Sequence, residues 1–312
     1  RWLFAGLLPL VATAVLVVRN LPARRGNTAT PRPDAGGFAA FTLATALILV
    51  WLTFAGHRFS WWSVTSGMLA AASIGAVAAL VVQQRSSASP LLPVELLAEP
   101  TLRALAATVA INAGAMFGLV FFLPVMVQLG QGGDARAGGL AVLPLMLGTV
   151  ISSLAGGRWI AYSGRVGLMP RWGLAWAAAM LLVLAVLMPR GATLAAITLA
   201  LGLGLGTVMS NAQIMAQVVA GPERLGAAAA LASLSRSLGA TLGAAALSAT
   251  VYGELARLRL SHPSSPEAIL LLDALRHAFV GLSVLVLVGS LIARQLPVLK
   301  VTDQGDGPVD AG

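Results

Sequence analysis

The chain has 312 residues, 58% of them hydrophobic and only 10% charged, with a net charge of +9 and no cysteine. A soluble domain carries roughly 25% charged residues, so a water-soluble globule, a disordered chain and a disulfide scaffold are all excluded. Long apolar runs point instead to a polytopic membrane protein, and the basic residues lie mostly in the short loops between those runs, where they encode topology rather than nucleic-acid binding.

The pattern predicts an all-α fold of about nine transmembrane helices. In chain order the spans are Trp2–Val18, Phe38–Gly56, Trp62–Val82, Ala104–Leu129, Ala137–Gly157, Leu168–Met188, Ala192–Val219, Leu225–Tyr252 and Leu270–Ala293. Each has about the length needed to cross a hydrocarbon core of ~30 Å at ~1.5 Å per residue. Period-two alternation is absent, which argues against a barrel. Trp61, Trp62, Trp159, Trp172 and Tyr252 fall near span ends, where amphipathic rings prefer the interface. The first residue is Arg and an apolar run follows at once. A signal peptide would show a charged n-region and a small-residue cleavage site, so the chain is expected to be part of something longer.

Two loops are longer than the others: Asn20–Gly37, with Pro22, Pro31, Pro33 and Gly36, and Gln83–Thr101, with Pro90, Pro93 and Pro100. They divide the chain. Residues 1–18 form a lone helix, 19–100 hold linkers and two inserted helices, 101–300 form a six-helix bundle, and 301–312 are a disordered tail with Asp303, Asp306 and Asp310. Twelve basic residues fall in one set of loops and seven in the opposite set, with Arg236 alone inside a span. The richer side is expected to be cytoplasmic, which puts the C-terminus inside and the N-terminus outside. An outside N-terminus without a leader calls for an odd number of spans upstream.

Several motifs recur in a specific order. They are Leu92-Pro93, Leu143-Pro144-Leu145-Met146-Leu147-Gly148, Gly157-Arg158, Gly164-Arg165, Gly202-Leu203-Gly204-Leu205-Gly206, Leu225-Gly226-Ala227-Ala228, and Arg236-Ser237-Leu238-Gly239 followed by Gly243. Together they resemble the major facilitator superfamily, most closely its fourteen-span drug:proton antiporter branch of EmrB/QacA-like exporters. The resemblance implies two six-helix bundles flanking two extra helices. This chain would then hold the last helix of the N-terminal bundle, the extra pair and the whole C-terminal bundle, with about five spans upstream. It also implies alternating access around a midplane site. The function so implied is secondary active efflux of small amphipathic molecules from the inner membrane by proton-coupled antiport, with no cofactor and the proton gradient as energy source. The family loop Gly-x-x-x-Asp-Arg-x-Gly-Arg is matched at Gly157, Gly164 and Arg165, but Ala161 and Tyr162 replace its Asp and Arg.

The candidate cavity groups follow from polarity and from that resemblance, which turns the fourth, fifth, seventh and eighth spans toward the cavity. Arg236 is costly in a bilayer, by roughly 2.5–3.5 kcal/mol on insertion scales, so it should face a cavity or a partner. Its role is contact with an anionic group, a switch that pairs with an acid on the upstream bundle, or a lock on helix carbonyls. Asn211, Gln213 and Gln217 share the seventh span, and Asn112 with Met116 one turn on would line the fourth. The competing reading for the amides is interhelical hydrogen bonding; for Met116 and the neighbouring aromatics it is core or lipid contact. Glycines at four-residue intervals, including Gly239 and Gly243, read as close helix packing that also suits helices which rock.

All eleven acidic residues lie in loops, the tail or span ends. A proton site would therefore belong to upstream helices or to the interface with them. His57, His262 and His277 lack metal-ligand spacing; His277 with Asp273 makes either an i,i+4 pair or a solvated face. No metal, no catalytic residue and no enzyme activity are expected. The expected partners are the lipid bilayer, a small-molecule substrate and the upstream helices of the same protein. The alternatives are a truncated, non-transporting product or assembly partner, and an exporter of an endogenous metabolite.

Overall fold

A computed structural model describes residues 34–300, apart from 56–57, 60, 88–93 and 222–223, together with Thr13. The first expected span, most of the first long loop and the tail from Val301 lie outside the described residues.

Capping chemistry sets most helix starts. Helix α1 (Ala35–Phe54) begins at Asp34, whose carboxylate accepts the Gly37 N–H at 2.8 Å. Helix α2 (Val64–Ser86) begins at Ser63, whose hydroxyl oxygen accepts the Ser66 N–H at 3.2 Å. A 3-10 turn (Val94–Ala98) leads into α3 (Pro100–Val125), which starts on a proline, where the missing N–H costs nothing. Pro124 lies inside the last turn of α3, and the backbone widens directly after it into a π turn, Met126–Gly130. Helix α4 (Ala135–Ser163) is capped by Asp134 at 2.7 Å and closed by Gly164 at φ 64°. Strand β1 (Arg165–Val166), α5 (Met169–Leu187), α6 (Gly191–Ala220), α7 (Leu225–Ser261), α8 (Glu267–Ala293) and β2 (Leu299–Lys300) complete the order.

Seven of the described helices are long and apolar enough to cross a membrane: α1, α2, α3 with its π turn, α4, α5, α6 and α8. Of the nine expected spans, the first lies outside the described residues and α7 is the exception. At 37 residues α7 has ample length, but Ala, Gly, Ser, Thr and Arg236 make it weakly apolar. It also runs nine residues past the expected end at Tyr252. The apolar run stops at Glu254, but a helix does not have to end where the membrane does. Its breaker comes later, at His262-Pro263. Likewise, Pro100 belongs to α3 rather than to the preceding loop.

Helices α3 and α7 cross, as do α4 and α6, and α5 packs on both α6 and α8. The crossings are backbone to backbone. A Cβ added to Gly239 would fall on the Ala110 carbonyl, and one on Gly202 would fall on the Leu145 carbonyl. One on Gly114 would lie 2.9 Å from the Gly239 oxygen. Only glycine allows this approach, and lipid-solvated helices depend on such van der Waals contact. Outside the crossings, α4 shows an exposed apolar stripe of Leu140, Leu143, Leu147 and Leu154, and α8 shows Val284, Leu287 and Leu291. These faces suit hydrocarbon.

Helices α1 and α2 pair with each other, and α1 also rests on α7. A polar clasp joins the Asp34 end of the pair. The Gln83 and Gln84 amides donate to the Asp34 carboxylate, each at 3.0 Å. The Gly37 N–H first, and then these amides, hold the Asp34 carboxyl below its ordinary range. At the end of the bundle where α4 finishes, β1 and β2 pair antiparallel, Arg165 opposite Lys300 and Val166 opposite Leu299. The Arg171 guanidinium donates to the Leu296 carbonyl, and the Ser290 hydroxyl donates to the Arg171 carbonyl at 2.8 Å.

Candidate functional site

Helix α7 differs from its neighbours in what it leaves uncovered. Between Leu225 and Leu260 none of its large apolar side chains is exposed. Its open residues include Ala230, Ser233, Arg236, Ser237 and Thr241. Their spacing of three and four puts them on one helix face. A small, polar face with an arginine does not suit lipid; it suits water or another polar surface.

A cleft opens beside this face. It has a volume of about 20 Å³, room for one water-sized group. Asn112 of α3, Gln213 of α6 and Arg236 of α7 all line it, with Val109, Val208 and Ala232 as part of its apolar wall. Asn112 thus meets two residues more than 100 positions away in sequence, because α3 packs against both α6 and α7. Asn112 is only 2% exposed, and its Oδ1 accepts no hydrogen bond among the described residues. A buried oxygen in that condition costs about 1–3 kcal/mol. The cleft-lining groups able to donate to it are the Arg236 guanidinium and the Gln213 amide. No carboxylate lies within ion-pair distance of Arg236 among the described residues. Its donors are therefore available to a carbonyl, a carboxylate or a phosphate oxygen.

The other expected cavity residues are placed elsewhere. Asn211 is buried, but its Nδ2 donates to the Thr207 carbonyl at 2.9 Å and its Oδ1 accepts from the Gly167 N–H at 3.4 Å. It ties α6 to the α4–α5 connection, where Gly167 holds φ 98° against the Pro297 carbonyl. Met116 follows Asn112 by one turn but is half-buried against the core rather than in the cleft. His277 does not pair with Asp273. Its Nδ1 lies 3.3 Å from Glu254, and Asp273 pairs with Arg276 at 3.7 Å. The i,i+4 spacing does not decide the partner, because the Glu254 carboxylate of α7 reaches His277 across the α7–α8 groove. Among the described residues no group of three His, Cys, Asp or Glu side chains forms a metal site.

No protein-family model matches the chain. Curated proteins do. The chain is 27% identical over 257 residues to the multidrug transporter protein MdtP of Bacillus subtilis, covering 80% of this chain and 47% of that protein. It is 30% identical over 226 residues to a tetracycline resistance determinant of Streptomyces rimosus, covering 70% of this chain and 64% of that protein. It is 25% identical over 260 residues to the uncharacterized MFS-type transporter Rv1877 of Mycobacterium tuberculosis, covering 82% of this chain and 38% of that protein. The chain is thus similar to proteins named as multidrug, tetracycline-resistance and MFS-type transporters. It spans about half the length of the curated relatives it matches.

The motif residues divide by geometry. Gly239 and Gly243 sit at the α3–α7 crossing, with Gly243 pressed on Gly114. Gly164 terminates α4 in the left-handed region, and Arg165 is exposed on β1. Gly157 has open space where a Cβ would stand, so close packing does not explain it. The widened turn after Pro124, the orphaned Asn112 oxygen and the β1–β2 pairing were not anticipated. Pro124 was the one available signal for the first. The other two depend on tertiary contacts.

Proposed function

We propose that this chain is the C-terminal portion of an MFS-type efflux transporter of the fourteen-span branch, in which the α3–α6–α7 cleft forms part of the substrate path. The observation that carries the reading is the convergence of Asn112, Gln213 and Arg236 beside the polar face of α7. Likeness to a multidrug transporter and to a tetracycline resistance determinant supports export of small amphipathic molecules. In this reading upstream helices of the same protein stand opposite α7 and complete the cavity. Arg236 contacts an acceptor group of the substrate, or of the opposing helices, during alternating access. Transport is coupled to proton re-entry at a group in those upstream helices. The protein is a multi-pass protein of the inner membrane, with the β1–β2 end and the C-terminus cytoplasmic.

Export from cells expressing the full-length protein tests the role of Arg236. Arg236→Ala is expected to abolish export at unchanged membrane expression. Arg236→Lys should retain part of it, since the charge persists without the planar fork. Wild-type export by Arg236→Ala would overturn the assignment.

A further inference from the structure

A second groove lies further along α7, beyond the Asn112 cleft toward the C-terminal end of the helix. It has a volume of about 520 Å³ and runs between α7 and α8 from Gly243 to Arg257, with Trp61 of the α1–α2 connection on its rim. Its floor is made of small residues, Gly243, Ala246 and Gly281, with Leu285 on one wall. A Cβ on Gly281 would meet nothing within 4 Å, so this glycine opens directly on the groove.

The two ends are chemically unlike. Gly243 presses on Gly114, which stands near the middle of the membrane-crossing stretch Pro100–Gly130. The other end carries Glu254, Arg257 and His277. Arg257 is largely exposed and offers a single nitrogen, at 3.5 Å, to Glu254, which also meets His277. A guanidinium has five donors, so most of this one is uncommitted. Trp61 marks the same level, packed edge-on against Trp51 with centroids 5.9 Å apart. Tryptophan at such a boundary marks the membrane interface. From Gly243 to Arg257 the helix rises about 21 Å at ~1.5 Å per residue. That matches one leaflet with its headgroup layer, about half of a 40–45 Å bilayer.

We propose that this groove is a phospholipid site: one acyl chain lies along Gly243, Ala246 and Gly281, and the lipid phosphate sits on Arg257. The apolar length, the absence of side-chain bulk and the exposed, largely uncommitted Arg257 guanidinium at one end all fit that one occupant. A peptide helix would leave Arg257 without a counter-charge and would need more width than a groove floored by α7 and walled by α8 provides. The site rests on the membrane placement of α7 and α8 and is independent of the transport reading.

Native mass spectrometry of the full-length protein in mild detergent, titrated with phosphatidylglycerol, tests it. Gly281→Leu fills the groove without a clash and should remove one tightly held lipid. Arg257→Gln alters an exposed side chain that folding does not depend on, and should weaken that lipid about tenfold, as for one lost charge-assisted hydrogen bond. Gly67→Leu, equally open but on α2, should bind as wild type. Unchanged lipid binding in folded Gly281→Leu, or in Arg257→Gln, would overturn the proposal.

Discussion

Asn112 and Arg236 carry opposite deficits. Among the described residues, one is an oxygen buried without a donor and the other a guanidinium without a carboxylate. They share one cleft, and the proposed substrate path accounts for both: an arriving group can donate to the one and accept from the other. Asn112→Leu, which replaces the orphaned oxygen by a methyl group with the same side-chain branching, should leave stability unchanged or raise it by up to about 1–3 kcal/mol. It should also reduce export. Paired melting and transport measurements check this, and a variant both destabilised and fully active would contradict it. Arg236 could be picked out from sequence because a lone charge in an apolar run is rare. Asn211 could not be told apart from Asn112 in the same way. Both are amides in apolar spans, and only the path of the α4–α5 connection shows that Asn211 spends its side chain on Gly167 and Thr207.

Among the elements, helix existence was readable and helix ends were less so. Apolar runs located α1 to α6 and α8 with ends within four residues, except that α4 runs six residues past its expected end at Gly157. They truncated α7, because a hydropathy boundary marks the edge of the membrane rather than the end of hydrogen bonding. Glycine spacing was also informative. The pairs at 239/243 and 202/206 did mark crossings, since a missing side chain is what lets two backbones touch. Gly157 shows the limit of that signal: it has the same residue type and no close neighbour. The two kinds should separate on substitution. Gly239→Ala forces α3 and α7 apart and should cost roughly 1–3 kcal/mol, as overpacking does. Gly157→Ala should be neutral, or gain about 0.5–1 kcal/mol from reduced backbone entropy. Thermal unfolding of both in detergent distinguishes them, and equal losses would contradict the crossing geometry.

For the whole molecule, surface chemistry sorts the helices. Helices α4 and α8 present leucine and valine outward, as lipid contact requires. Helix α7 exposes serine, threonine and arginine over its first half and lines a small-residue groove over its second. A weakly apolar helix is tolerable in a bilayer only if its polar face meets protein or water. Composition alone announced a membrane protein, but the assignment of each face needed the packing. The β1–β2 pairing left no trace in the sequence, since two-residue strands have no periodicity to detect.

Thiol accessibility tests most directly whether the polar face of α7 borders an aqueous path. The 312-residue sequence has no cysteine, so a thiol introduced into it reports on its own position. Ser237→Cys, in membranes, should react with a water-soluble, membrane-impermeant maleimide, and a transported substrate should slow that reaction. Leu147→Cys, on the apolar stripe of α4, should stay unlabelled. If Ser237→Cys is as inert as Leu147→Cys, the α7 face does not border water and the cleft is not part of a transport path.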